Sequence, residues 1–558
     1  MKQIKLFIAI IIGSAVLWGN TATAGEIPAK PKIPNTPEAI EAGKKIYFRR
    51  CSFCHGLEGK GDGPVSDQLL PRPRDFTTGL FKLRTTVSGE LPVDEDLFRA
   101  ISRGLTGSAM QPFDIDKIKS GLTEEERWQV IYYIKTFSED FKDPDRDPTK
   151  QLVKVSKQIP SSPESIAKGK ELFQKMKCWE CHGENARGNG PNAPRLKTKD
   201  GKNDPILPAD LSKFWRYKGG STVNDIYMRF NTGLNGTPMP SFTDSLSDEE
   251  RWHLANYVVS LQKKEIKSGV LTTKIVKGDI PLDTENPIWA TAEPIDMMMS
   301  GQVVVAPRWE NPSVDLVTVK AVYNDKEIGF LFEWSDRFKD TAHKTETEVN
   351  FGAYQAALSA KPAGYHSYVK WQEIPRDIGN FRDSIAIQFS AKPMEGTEKP
   401  HFVRGDTSKS VNLWVWKSEL QEEGKVTPFE KGGLGGISPV EDSNVNGFQK
   451  PFTPQSPEGQ QVKGAGVWKD GQWKVVMVRP LTTPDKNDIQ FEKGKFIPFA
   501  LNAWDGSNGE HGLAMSVSSW NYILLETSTP THVYLYTFLS MALIGGAEVW
   551  LVRRKNGR

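Results

Sequence analysis

A chain of 558 residues is too long for one hydrophobic core, so three or more domains of ordinary size are expected. Hydrophobic residues at 38% and charged residues at 25% describe a soluble globular chain, not a polytopic membrane protein or a disordered one. The net charge of +3 is close to balance and gives no reason to expect nucleic acid as a partner.

At the N-terminus, Lys2 and Lys5 precede an apolar run from Leu6 to Trp18, and Ala22, Thr23 and Ala24 follow as a small-residue cleavage site. Residues 1–24 therefore read as a secretory signal, with the mature chain starting near Gly25 outside the cytoplasm. An uncleaved anchor is the alternative, for which the run is short.

All four cysteines lie in two copies of Cys-x-x-Cys-His: Cys51, Cys54 and His55, then Cys178, Cys181 and His182. On a helix the first and fourth residues share a face, so both sulfurs can reach the two vinyl groups of one porphyrin. The histidine, four positions after the first cysteine, can ligate the iron held there. A zinc site made from two Cys-x-x-Cys knuckles and a redox-active disulfide are the rivals. The surroundings also repeat: PEAIEAGKKIYFRRCSFCHGLEGKGDGP matches PESIAKGKELFQKMKCWECHGENARGNGP, and LFRAISRGLTGSAMQPF matches IYMRFNTGLNGTPMPSF. Both copies close with a predicted amphipathic helix, LTEEERWQVIYYIKTF and LSDEERWHLANYVVSL, opened by a Thr or Ser cap and an acidic first turn.

Each unit resembles a class I cytochrome c domain, over residues 36–143 and 160–266, with residues 144–159 as linker. The resemblance implies a second axial ligand from a loop methionine, which by position is Met110 in GSAMQPF and Met239 in GTPMPSF. Gln111 interrupts the Met-Pro pair that Met239 and Pro240 retain. Two covalent haem c groups are expected, each iron six-coordinate and closed, which suits electron transfer and not substrate chemistry.

From about Leu271 the pattern becomes strand-like. TVKAVYNDKEIGFLFEWSD predicts two strands across a turn at Asn324 and Asp325, and GAGVWKDGQWKVVMVRPL two more across Asp470 and Gly471. SIAIQFS, VNLWVWK and KFIPFALNAW add strands, so residues 271–528 are expected to form an all-β sandwich with long loops near 340–380 and 420–465. PIWATAEPIDMMMSGQ, VKAVYNDKEIGFLFEWSD, KPHFVRGDTSKSVNLWVWKSE and ALNAWDGSNGEHGLAMSVSSW resemble the haem-binding domain of ethylbenzene dehydrogenase. That domain recurs in gamma subunits of the type II dimethyl sulfoxide reductase family, including those of nitrite oxidoreductase, selenate reductase and chlorate reductase. The resemblance implies one non-covalent haem b held between a methionine and a lysine. Here Val403 and Arg404 stand where the methionine is expected, and Met515 where the lysine is. Met515 remains a possible thioether ligand, with His401, Met394 or His511 opposite it; otherwise the sandwich is a docking module without haem. The Met297–Met299 run is read as packing, since no Cys or His lies near it in sequence.

At the C-terminus, Val533 to Val552 supplies about the 20 residues that cross roughly 30 Å of hydrocarbon, with Tyr534, Tyr536 and Trp550 at the interfaces. Arg553, Arg554, Lys555 and Arg558 follow, so residues 553–558 are expected in the cytoplasm and the rest on the exported, periplasmic side. Glu548 lies near enough to the end of the span to reach the interface; a buried soluble helix is the alternative.

The expected whole is multidomain: two all-α cytochrome c domains, an all-β sandwich and one transmembrane helix. The resemblance implies a non-catalytic redox subunit that takes electrons from a molybdenum-containing alpha subunit through an iron-sulfur beta subunit, in a complex like nitrite oxidoreductase. A soluble cytochrome or a membrane oxidase would accept them. A dihaem peroxidase, which needs an open iron, and a binding module wired to the membrane are the alternatives.

Overall fold

A computed structural model describes residues 33–66, 69, 71–301, 312–341, 381–391, 399–421, 438–447, 453–527 and 531–556. The expected signal segment, Met394 and most of the expected loop at 340–380 lie outside the described residues.

The first helical domain contains α1 (Pro37–Arg50), the single-turn α2 (Ser52–His55), α3 (Asp94–Arg103) and α4 (Glu124–Lys135). The second repeats the order with α5 (Pro163–Lys175), α6 (Trp179–His182), α7 (Val223–Thr232) and α8 (Asp248–Ser260). The closing helices start at reciprocal caps: the Glu126 amide donates to Thr123 Oγ1 while the Thr123 amide donates to Glu126 Oε2, and Ser247 and Glu250 do the same. In each domain the first helix crosses the last at a glycine. A Cβ added to Gly43 would lie 2.0 Å from the Gln129 carbonyl oxygen, and one added to Gly169 would lie 2.1 Å from that of His253. Tyr47, Trp128 and Ile131 fill the first core; Phe173, Tyr227, Trp252 and Leu254 fill the second.

Among the described residues thirteen strands follow: β1 (Leu271–Ile275), β2 (Ile295–Met298), β3 (Leu316–Tyr323), β4 (Glu327–Ser335), β5 (Ser384–Ser390), β6 (Val411–Lys417), β7 (Val440–Val445), β8 (Thr453–Pro454), β9 (Lys463–Lys469), β10 (Gln472–Pro480), β11 (Phe496–Trp504), β12 (Ser516–Val517) and β13 (Asn521–Leu525). They run in the order β8-β7-β6-β5-β11-β13-β1-β3-β4-β10-β9, with β12 beside β11 and β2 beside β3. β1 belongs to both layers. Its first residues pair parallel with β13, Leu271 opposite Ile523, and its last with β3, Lys274 opposite Val322. Aromatic and branched residues from both layers, among them Trp334, Trp414, Trp416, Trp473, Phe330 and Phe389, fill the space between them.

Gly464 and Gly466 of β9 abut Trp416 of β6; a Cβ on Gly466 would lie 2.2 Å from the indole. This contact draws the far edge of one layer onto the other, so the sandwich is barrel-like. Both expected hairpins are present, and Asp470 (φ 55°) and Gly471 (φ 77°) supply the left-handed pair that a two-residue turn requires. The stretch 420–465, expected to be loop, also contains β7 and β8. β7 pairs with β6 and β8 with β7, and these backbone bonds outweigh the weak alternation of VEDSNV. Met297 and Met299 are core residues while Met298 is half exposed, so the run does pack.

The last helix, α9 (Thr531–Asn556), contains a candidate membrane span at Leu535–Lys555, 21 residues of mean hydropathy 1.6 with none of it buried against the rest of the chain. It lies where the sequence places its span.

Candidate haem centres

Each Cys-x-x-Cys-His motif forms one helical turn. The His55 amide donates to the Cys51 carbonyl (2.9 Å) and the His182 amide to that of Cys178 (2.9 Å). The next residue must then turn away, and Gly56 (φ 80°) and Gly183 (φ 82°) do so where a side chain would strain. His55 Nδ1 lies 3.0 Å from the Arg74 carbonyl oxygen and His182 Nδ1 3.0 Å from that of Ala209. A carbonyl only accepts, so Nδ1 carries the proton in both rings and Nε2 keeps its lone pair for a metal. Phe76 stacks on the His55 ring at 4.4 Å and fixes its plane. Burial pushes His55 down to about 4 and lowers His182 too, so both are neutral, the ligating form, at pH 7.

None of the four cysteines is in a disulfide. Burial pushes Cys51 up to about 12 and Cys178 up to about 11, so both are held as neutral thiols. Among the described residues, the cysteines and histidines of the two motifs are not gathered into one set of metal ligands, as a shared zinc site would require.

The methionine loops are superimposable in their bonding. Leu105 N donates to the Met110 carbonyl (2.8 Å), and Ser108 Oγ accepts from the Met110 amide (3.3 Å). In the second domain Leu234 N reaches the Met239 carbonyl (3.1 Å), and Thr237 Oγ1 accepts from the Met239 amide (3.2 Å). Met110 packs on the same core as Cys51, and Met239 on the same core as Cys178. Gln111 leaves this loop geometry intact. The residues present thus fit a covalent haem in each domain.

The contacts between domains carry no sequence signal. Arg74, whose carbonyl anchors His55, sends its guanidinium to Asp200 of the second domain (3.3 Å). Arg229 Nη2 donates to the Arg84 carbonyl (2.8 Å), and Arg84 returns a bond to the Thr232 carbonyl. The sandwich grips the second domain through Asp315, which accepts from Lys213 (2.7 Å) and Trp215 (3.0 Å) and lies 3.4 Å from Arg216. Burial alone would raise this carboxyl, but those two cations hold it below the usual carboxylate range. Arg337 Nη2 donates to the Pro208 carbonyl (3.2 Å), next to the carbonyl that anchors His182.

In the sandwich, Met515 is fully buried among Val403, Val411, Leu413, Trp504 and Val517. Arg404 Nη2 lies 3.7 Å from its sulfur, and Arg404 takes a left-handed φ of 58° to get there. His401 lies exposed on the same turn, with Nδ1 3.1 Å from the Val403 amide. His511 stacks on Phe381 at 4.0 Å with Nδ1 on the Gly509 carbonyl (2.9 Å). The buried thioether is thus set against a guanidinium, while His401 sits on the outside of that turn.

The Cytochrome c family profile matches residues 40–138 and 166–262, and the Ethylbenzene dehydrogenase profile matches 286–450 and 447–516. A Haloferax mediterranei chain named as a respiratory nitrate reductase haem subunit is 22% identical over 287 residues, covering 51% of this chain and 84% of its own. The dimethylsulfide dehydrogenase gamma subunit of Rhodovulum sulfidophilum is 26% identical over 162 residues, 28% of this chain and 54% of its own. Among solved structures, a chain of a Kuenenia stuttgartiensis reducing HAO-like protein complex is 44% identical with a TM-score of 0.38, covering 42% of this chain and all of its own. Two cytochrome c family domains, each built for a covalent haem c, are therefore joined here to an ethylbenzene dehydrogenase family domain, making the chain a gamma-subunit-like multihaem electron-transfer protein.

Proposed function

We propose that this chain is the membrane-anchored redox subunit of an oxidoreductase complex, held on the periplasmic face by α9. Electrons would come from a molybdenum-containing alpha subunit by way of an iron-sulfur beta subunit, as in an enzyme of the nitrite oxidoreductase kind, and leave to a soluble cytochrome or a membrane oxidase. Haem supplies reversible one-electron chemistry; the chain's residues hold it and set its potential. Cys51 and Cys54, and Cys178 and Cys181, form the thioethers. His55 and His182 would hold the iron through Nε2, and Met110 and Met239 would supply the second ligands.

The matched preparation of the two sites carries this reading: Nδ1 is tied to a carbonyl and a methionine loop is braced over the same core in both. With a histidine and a methionine each holding the iron, no position would be left for a substrate, which favours electron transfer over a peroxidase. The ethylbenzene dehydrogenase-type domain holds haem b in gamma subunits, in keeping with an additional haem here. Met515 is the buried soft donor at the position the resemblance marks, but Arg404 faces its sulfur and the exposed His401 does not, so the residues as placed do not form a Met515–His401 ligand pair.

Acid-acetone extraction of the denatured protein tests the reading. Two haems are expected to stay on the chain, and one after Cys51→Ala with Cys54→Ala. The ferric protein is expected to show methionine-ligated spectra and to bind no peroxide. Release of both c-type haems, or stoichiometric zinc in their place, would overturn it.

A further inference from the structure

Three acidic residues converge at one end of the sandwich, outside every site described so far. Asp336 follows β4, Asp383 precedes β5 and Asp505 follows β11, and one carboxylate oxygen from each lies within 4.8 Å of the others. They are 3%, 0% and 7% exposed. Asp383 is well served by donors: the Gly506 amide (2.9 Å), the Asp340 amide (2.8 Å) and Trp473 Nε1 (2.9 Å). Asp505 accepts from the Asn508 amide (3.2 Å) and Ser507.

Asp336 differs. The Phe338 amide reaches its Oδ1 (3.3 Å), but its buried Oδ2 has no hydrogen-bond partner, and neither does the buried Oδ2 of nearby Asp340. No lysine, arginine or histidine forms an ion pair with any of the three among the described residues. Arg337, adjacent in sequence, sends its Nη2 to the Pro208 carbonyl, and its charge reaches Asp505 only from beyond ion-pair distance. An unpaired buried charge is strongly disfavoured, and three in contact repel one another as well. Burial and mutual repulsion hold Asp336 and Asp383 well above the usual carboxylate range. Either protons or a cation must compensate.

We propose that Asp336, Asp383 and Asp505 bind one calcium ion, and that its role is to lock this end of the sandwich onto the second cytochrome domain. The donor set is hard and all oxygen, without the nitrogen or sulfur that a transition metal prefers. Three carboxylates from three separate strand ends suit calcium, whose large and flexible coordination shell tolerates such an arrangement better than the strict octahedron of magnesium. The orphaned Asp336 Oδ2 gains its missing partner. The placement accounts for the role: the residues flanking Asp336 are Ser335, which accepts from Arg187 (3.1 Å), and Arg337, which reaches the His182 anchor loop. The ion would join the ends of β4, β5 and β11 just behind these two contacts.

The test uses full-length haem-loaded protein in detergent. Metal analysis after gel filtration is expected to give one calcium per chain, and treatment with EGTA to lower the midpoint of sandwich unfolding. Calcium should restore the midpoint in a concentration-dependent way where equimolar magnesium does not. Asp336→Asn is expected to weaken calcium binding at least tenfold and to remove the EGTA effect. If that variant does not fold, the wild-type response to EGTA and calcium decides alone. An EGTA-indifferent midpoint with no stoichiometric calcium would overturn the proposal, as would unchanged calcium affinity in Asp336→Asn. So would a stabilised Asp336→Asn, because an amide in place of a protonated carboxyl is the signature of compensation by protons.

Discussion

Gly43→Ala and Gly169→Ala test the helix crossings on which both haem crevices are built. At position 43 the new methyl would lie 2.0 Å from the Gln129 oxygen and 2.5 Å from its carbonyl carbon; at 169 it would lie 2.1 Å from the His253 oxygen and 2.6 Å from Tyr257 Cβ. Ordinary contact begins near 3.4 Å, so each helix pair must open by more than an ångström. The obstructing atoms are mostly backbone, and no rotamer change relieves them. Overpacking costs about 1–3 kcal/mol, and rigid obstacles on both helices put these sites at the upper end. Alanine's better helix propensity returns about 1 kcal/mol, leaving about 2 kcal/mol of net destabilisation. For a domain of about 100 residues this lowers the unfolding midpoint by about 8–16 °C. Thermal unfolding of the holoprotein, followed by circular dichroism in the haem absorption region, reads each domain separately because a covalent haem stays with its own chain segment. A midpoint within two or three degrees of wild type, with methionine ligation intact, would refute the reasoning.

Two further predictions follow from the electrostatics. Arg337→Gln removes a cation beside the His182 anchor loop and is expected to lower the potential of the second haem while leaving the first unchanged in spectroelectrochemical titration; movement of both, or of neither, would show that Arg337 only holds the domains together. Burial and the neighbouring Asp505 push Glu510 up to about 8, so the folded state binds its proton more tightly than the unfolded chain does. In calcium-free buffer, sandwich stability should therefore be greatest below about pH 4.5 as far as this group is concerned and fall as pH rises towards about 8, and Glu510→Gln should flatten that slope in pH-dependent denaturant melts.

The haem centres were legible in the sequence because every feature they need is local or repeated. Cys-x-x-Cys-His is one helical turn, and the methionine loops and capped closing helices recur at matching offsets. Met110 stands at the place matching Met239 despite Gln111, and Ser108 and Thr237 hold the two loops in the same way. The carbonyls that orient the histidines, at Arg74 and Ala209, were not legible, since any residue type supplies a carbonyl. The aspartate cluster also went unseen. FEWSD, FRDS and AWDG each place one aspartate at a strand end, but only the pairing of β11 with β5 and the curvature of the sheet bring them together. β7 was missed because VEDSNV lacks clear alternation, although four of its six residues are buried. In the sandwich, the sequence raised the question of Met515 but not its answer, since only the fold sets Arg404 against the sulfur.

The parallel pairing of β1 with β13 has a mechanical consequence. The chain passes from the second cytochrome domain into β1 at Leu271, beside Ile523, and leaves for α9 after Leu525, beside Thr273. The cytochrome pair and the membrane tether are therefore fastened to neighbouring strands at opposite ends. A pull between them loads the row of hydrogen bonds joining those strands sideways and together, not one after another as in an unzipping hairpin. Tyr323 fastens the same seam by donating to the Glu526 carbonyl. A load carried between tether and cytochromes is therefore shared by every bond of this row.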